Sequence, residues 1–346
     1  MPYEDVHGNQ DFNVVAQIAQ ADRGWEMKGT SYVITGASGL IGSAVVGHLM
    51  RRGCDVYAAG RDPAVLSRKF GGGAKCVPYD ALRPVEFDFP VDVVIHAASA
   101  ASPELFVENP VETIMANVFG IRELLEYARR IGARKVVYVS SSEVYGKASP
   151  RQAGFREDDY GFVDLLDVRS SYPMGKRAAE TLCAGYAKEY GVDVSIVRPG
   201  HIYGPTASQA DRRVSSAFAW KAARGEPIVM KSAGTSLRSY THVDDCAAAM
   251  MAVVEKGLPG EAYNIANRDG VCTIRRMAEI MANEGGVELR FEGASAADTA
   301  TFNPMDNSCL DPSRLEALDW EGTIGYEEGF TRTVKEMRDS LARRTP

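Results

Sequence analysis

The sequence predicts an α/β protein built on a doubly wound parallel sheet, with a smaller interleaved α+β lobe towards its C-terminus. Three observations carry that expectation. Near-continuous apolar, β-branched runs alternate with longer helical patterns from about residue 30 to 200, as expected for parallel strands covered on both faces. Glycines cluster where the first such run gives way to the first helix, in "TGASGLIG". After about residue 200 the rhythm breaks, as Gly, Pro and charge rise in "GPTASQADRRV" and "RGEPIVMKSAGTS".

Taken in order, residues 1–28 read as a polar leader carrying a short amphipathic helix. "SYVITG" at 31 is the first strand, "LIGSAVVGHLMRRG" its helix, and "DVYAAG" at 55 the second strand. A third strand ends before "YDAL", and "VDVVIHAAS" at 91 is the fourth. The long helix "VETIMANVFGIRELLEYARRIG" precedes the strand "KVVYVSSS"; a helix opening at "RSSYPMGK" then leads to the strand "VDVSIVRPG". Right-handed crossovers wind these units into one sheet over residues 29–199. Residues 200–346 form mainly the second lobe, with segments such as "EAYNIAN" returning to the sheet.

Bulk properties narrow the function. The 346 residues carry a net charge of −7, which argues against a nucleic-acid partner, since neutralising phosphate backbones requires a basic surface. No apolar run reaches membrane-spanning length, and the start lacks both a basic and an apolar stretch. Six scattered cysteines without a Cys-x-x-Cys pair suit reduced thiols in a cytoplasmic protein, and five dispersed histidines suggest no metal centre.

In "TGASGLIG", Gly36, Gly39 and Gly42 follow a strand and open a helix. A backbone without Cβ admits a pyrophosphate closely, and a helix N-terminus supplies free N–H groups and a positive dipole. Ser38, Leu40 and Ile41 complete the turn around a dinucleotide such as NAD or NADP. The second strand bears on which one. The acid that usually accepts from the ribose 2′-hydroxyl is replaced by Gly60, and Arg61 follows. Arg61 either binds the 2′-phosphate of NADP or is a solvated loop residue. Asp80 either accepts from the adenine amino group or serves its own turn.

"VVYVSSSEVYG" sends Ser140, Ser141, Ser142 and Glu143 out at the C-terminal end of a strand, the edge where such sheets place ligands. Tyr172 and Lys176, four apart, share a helix face. An ammonium beside a phenol stabilises the phenolate, so Tyr172 can take an alcohol proton while Ser141 orients that alcohol and hydride leaves its carbon.

These motifs resemble the extended short-chain dehydrogenases that modify nucleotide sugars, the epimerase/dehydratase family, over roughly residues 30–330. The resemblance runs through "TGASGLIG", "HAAS", "ANVFG", "SSSEVYG", "YPMGK", "RPGHIYGP", "RSYTHVDD" and "LDPSRLEALDW". Within the family, "HAASAASP", "RSSYPMGKRAAETL" and "YGPTASQADRRV" are similar to UDP-glucuronate decarboxylases. The resemblance implies a Rossmann domain, Ser141, Tyr172 and Lys176 as the catalytic set, and Glu143 as a helper at sugar C5. It further implies Ala97 and Ala98 beside the cofactor, and Ser99, Ser142, His201 and Arg238 towards the substrate, with Arg238 on the diphosphate rather than paired with Asp244 or Asp245. Two departures stand out. Decarboxylases carry an arginine where this chain has Asn307, and 4,6-dehydratases carry an aspartate where it has Ser142.

The expected enzyme therefore oxidises the C4 hydroxyl of a nucleoside-diphosphate sugar to a transient ketone and recycles its cofactor, working as a homodimer by analogy. UDP-glucuronate decarboxylation, a net NADP(H)-dependent reductase or dehydrogenase, and a non-catalytic cofactor-binding regulator are the alternatives.

Overall fold

The computed structural model describes residues 27–99, 102–148, 154–295, 298–299, 302–303 and 305–343. Most of the expected leader, residues 1–26, lies outside them.

Seven parallel strands form the main sheet: β1 (Ser31–Thr35), β2 (Asp55–Gly60), β3 (Lys75–Pro78), β4 (Val93–His96), β5 (Lys135–Val139), β6 (Val194–Pro199) and β10 (Ala262–Ile265), in the spatial order β10-β6-β5-β4-β1-β2-β3. The order reverses at β1, which lies between β2 and β4, so a crevice opens beyond the strand ends there. β4 and β5 are buried at every position. This accounts for their unbroken apolar character, since each face meets a helix layer.

On one face pack the helices Pro110–Ile131 and Ser171–Tyr190, over a core that includes Val33, Val94, Leu124, Tyr138 and Ala179. Each ends at a glycine in left-handed conformation, Gly132 and Gly191, where a side chain would be strained. On the other face the helices Leu40–Arg51 and Val243–Lys256 cover Ile34, Val45, Ile95 and Met250. That apolar cluster continues into the second lobe through Trp220, Met277 and Phe330, so one core serves both.

The second lobe is built around β9 (Leu237–His242). Its partners are β7 (His201–Tyr203) and β13 (Asn307–Ser308), both parallel, and β11 (Val271–Thr273), antiparallel. A separate parallel pair joins β8 (Ile228–Met230) to β12 (Leu289–Phe291). β10 returns to the main sheet beside β6 as its edge strand. No described helix is long and apolar enough to cross a membrane, and no described group of three His, Cys, Asp or Glu residues is placed to hold a metal ion.

Candidate active site

The glycine turn links β1 to the helix Leu40–Arg51. Gly36 has φ +68°, and a Cβ there would sit 2.7 Å from the Ala97 carbonyl and the Ala98 Cα. The turn and the loop after β4 therefore touch backbone to backbone. A Cβ on Gly42 would lie 2.3 Å from the Gly36 carbonyl oxygen, so this glycine lets the helix close down on its own turn. The helix begins at Gly39 with no side chain capping it, which leaves its first N–H groups for an external acceptor. Thr206, from the second lobe, donates to the Leu40 carbonyl at 2.9 Å and fastens that lobe to the same turn. A helix start with uncapped N–H groups, drawn down on a turn that side chains would prop open, fits a dinucleotide pyrophosphate.

At the end of β2, Asp62 is spoken for. Its Oδ1 accepts from Ala64 N at 2.9 Å and Val65 N at 3.2 Å, capping the helix Pro63–Phe70. Arg61 is exposed beside it. Asp80 likewise accepts from Leu82 N at 3.0 Å within its own turn. Ser99, from the loop after β4, donates its hydroxyl to Asn117 Oδ1 of the long helix at 3.0 Å.

Ser141 and Tyr172 meet at the C-terminal end of β5. Ser141 is extended and its Oγ accepts from Glu143 N at 3.2 Å, which opens the short turn Ser142–Tyr145. The Ser141 side chain also faces the Tyr172 phenol closely enough to favour its charged form. The tyrosine ring lies flat on Phe106, with centroids 4.2 Å apart and an interplanar angle of 5°. That stack fixes the direction of its C–O bond. Ser140 faces the other way and hydrogen-bonds Glu180. Ser142 is 4% exposed, too enclosed for a surface cap.

The electrostatics differ from the sequence expectation. Lys176 is buried, its Nζ donates to the Val139 carbonyl at 2.7 Å, and it lies 5.7 Å from the Tyr172 ring centroid. Burial pushes the ammonium down to about 7, with the Glu180 carboxylate opposing. Burial also lifts the Tyr172 phenol to about 12, against the Ser141 side chain and the positive fields of Arg213 and Arg169. Desolvation thus outweighs the cation that the four-residue spacing suggested. The sign of the linkage follows. Because Lys176 titrates lower in the folded chain than its ordinary 10.5, the unfolded chain binds more protons between about 7 and 10.5. Stability from this group therefore rises with pH across that window. Lys176→Met removes the effect, so its melting-temperature advantage over the wild type should be greatest near pH 6 and shrink by pH 9, as read by calorimetry.

Arginines missed in the sequence converge here. The Glu143 carboxylate is held by both Nη groups of Arg169, at 3.0 and 3.1 Å. Arg213 pairs with Asp211 through Nε at 3.0 Å, and its charge acts on both Tyr172 and His201. Both lie in segments already singled out, "RSSYPMGK" and "GPTASQADRRV", but nothing local marks where their side chains go. His201 sits opposite Tyr240 across the β7–β9 ladder. Burial and the neighbouring Arg238 and Arg213 charges push its imidazole down to about 3, so it is neutral, with Nδ1 buried and unpartnered. Arg238 is 3% exposed and donates Nη1 to the Leu237 and Asp306 carbonyls. It pairs with neither nearby aspartate, for Asp244 binds Arg332 and Asp245 binds Thr323. Asn307 has its side-chain oxygen turned onto Cys309 N at 2.9 Å.

The glycine turn at the sheet's switch point thus packs on the loop after β4, while Ser141 follows the neighbouring strand β5 and Tyr172 opens the helix Ser171–Tyr190. The chain belongs to the NAD dependent epimerase/dehydratase family, whose model matches residues 32–266. It is 32% identical over 316 residues to UDP-glucuronic acid decarboxylase 1 of Arabidopsis thaliana, covering 89% of this chain and 70% of that protein. The Xenopus tropicalis UDP-glucuronic acid decarboxylase 1 is 29% identical over 89% of this chain and 72% of its own. Among solved structures, the UDP-glucose 4-epimerase of Thermotoga maritima, determined with UDP-glucose, superposes with a TM-score of 0.79 at 24% identity, over 90% of this chain and all of that one. At that identity the likeness shows the fold alone.

Proposed function

We propose that this enzyme oxidises the C4 hydroxyl of a nucleoside-diphosphate sugar to a ketone and then reduces it again, epimerising that carbon. The observation that carries the reading is the approach of Ser141 to the Tyr172 phenol past the end of β5, with the glycine turn packed on the loop after the neighbouring β4. A nicotinamide dinucleotide, bound along that turn, supplies the acceptor and donor of the hydride. Tyr172 takes the hydroxyl proton as the C4–H bond breaks and returns it on reduction. Ser141 orients the hydroxyl, and Lys176 contributes its charge from beneath. Arg238 and His201, together in the second lobe, supply donors for the diphosphate, and the neutral imidazole can donate without adding charge.

Other fates of the ketone lose their helpers. Ser142 cannot serve as the strong acid that water loss requires, and Asn307 is committed to its own turn. On the cofactor, Gly60 and the capping role of Asp62 leave no acid for a ribose 2′-hydroxyl, while Arg61 is free to meet a 2′-phosphate. These features support NADP. A second reading, decarboxylation of a nucleoside-diphosphate uronate, is supported by the Arabidopsis and Xenopus relatives.

The test is mass spectrometry of the products from UDP-, TDP-, GDP- and CDP-sugars, uronates included, with NAD+ or NADP+ added. The expected product has unchanged mass and an inverted C4. Loss of carbon dioxide would establish the second reading; net accumulation of reduced cofactor would replace both with a dehydrogenase.

A further inference from the structure

The pairing of Glu143 with Arg169 bears on what happens to the ketone, and so rests on the function proposed above. Glu143 lies inside the site: its charge acts both on the Tyr172 phenol and on Arg238. It therefore lies in the field of both the phenol and the proposed diphosphate donor. A C4 ketone acidifies the C5 hydrogen, and a free carboxylate in that place would be a competent base for it. This carboxylate is not free. The Arg169 fork approaches both oxygens at once, Nη1 to Oε2 at 3.0 Å and Nη2 to Oε1 at 3.1 Å, with side chains only 11% and 17% exposed. Such a fork fixes the plane of the carboxylate as well as its charge.

Arg169 is itself tightly placed. It lies one helical turn before Tyr172, in the short turn Val168–Ser170, which Asp167 opens by accepting from Arg169 N at 3.0 Å. Its guanidinium carbon lies 5.9 Å from the centroid of the Phe106 ring, the ring on which Tyr172 stacks. Phenol, carboxylate and guanidinium are thus held by one set of contacts.

The geometry points to Arg169 as a positioning residue that holds Glu143 as a fixed ion pair and keeps the keto sugar from exchanging its C5 hydrogen, so that the ketone is consumed by hydride return at C4. The fork occupies an acceptor site on each carboxylate oxygen, so Glu143 is held in a fixed pair rather than presented to the C5 hydrogen. Removing the guanidinium frees both oxygens and turns Glu143 into the C5 base that the sequence suggested.

The experiment runs the holoenzyme in D2O with UDP-glucose and UDP-glucuronate and reads deuterium at C5 of the recovered nucleotide sugars by NMR and mass spectrometry, normalised to C4 turnover. The wild type and Arg169→Lys, which keeps the charge, should leave C5 unlabelled. Arg169→Gln should incorporate at least about tenfold more C5 deuterium per turnover, as a freed general base would give, and Arg169→Gln combined with Glu143→Gln should lose it again. C5 deuterium in a recovered wild-type nucleotide sugar that retains all its carbons would overturn the inference while leaving C4 oxidation intact. Turnover by Arg169→Gln without C5 label, or complete loss of turnover in Arg169→Gln with retained fold and dinucleotide binding, would also overturn it. A wild type that converts none of these sugars, nor any in the wider panel, sinks the proposed function and this inference with it.

Discussion

Tyr172→Phe should lower turnover about 1,000-fold while leaving dinucleotide affinity and melting temperature close to wild type. The ring does structural work through its stack on Phe106, and phenylalanine keeps that stack. What is lost is a single oxygen and its interaction with the Ser141 side chain. The phenol stands at about 12 in the free protein because burial disfavours its charge. Its activation therefore depends on charges brought close during the reaction, and no other described group is placed to replace it. His201 is neutral and turned towards Tyr240, and Glu143 is paired with Arg169. Turnover within tenfold of wild type would remove Tyr172 from the chemistry. A large fall in melting temperature would show that the hydroxyl matters structurally instead. Steady-state kinetics, dinucleotide titration and calorimetry on the same preparation separate the two.

Arg198→Met should be the most damaging substitution for stability, at about 3–5 kcal/mol in equilibrium denaturation. Arg198 is 4% exposed behind the site, on β6, with Nε and Nη2 on the two Glu180 oxygens at 3.0 and 2.7 Å. Its Nη1 reaches the Tyr145 hydroxyl at 3.1 Å and the Glu157 carbonyl at 2.7 Å. Tyr145 in turn donates to Asn264 at 2.6 Å, and Asn264 N donates to Glu157 at 2.7 Å. Removing the guanidinium leaves the Glu180 carboxylate buried without its counter-ion, and that uncompensated charge sets the cost. Glu180 also receives the Ser140 hydroxyl and steadies the Lys176 ammonium, so activity should fall along with stability. Arg198→Met combined with Glu180→Met should recover much of the stability, because both charges then leave together. A single variant within 1 kcal/mol of wild type would mean that water or a rearranged neighbour satisfies Glu180.

The main sheet was readable because a parallel strand buried on both faces needs an unbroken apolar run, and "VVIH" and "KVVYV" supply one. The smaller sheets were not. β13 is two residues long and β7 three, and each exists because β9 offers a partner far away in sequence. In the candidate site, the glycine turn, Ser141, Tyr172 and Lys176 follow from local spacing, and the fold sets Ser141 and Lys176 beside Tyr172. Arg169 escaped notice because its partner Glu143 lies 26 residues earlier, on another element. The role of Asp62 was hidden for a different reason. Sequence position alone does not distinguish a ribose ligand from a helix cap, whereas two hydrogen bonds to Ala64 and Val65 do. For Lys176, spacing reports nearness to Tyr172 but not the cost of burying the charge.

The central claim is that hydride leaves the sugar for a dinucleotide held on the glycine cradle when Tyr172 takes the hydroxyl proton. Rapid mixing of the NAD+- or NADP+-loaded protein with its nucleotide sugar, followed at 340 nm, tests this most directly. The account predicts a transient rise within the first turnover that decays as product forms and is absent in Tyr172→Phe. Product formation with no such transient, together with a C4 hydrogen that washes out into solvent, would contradict it.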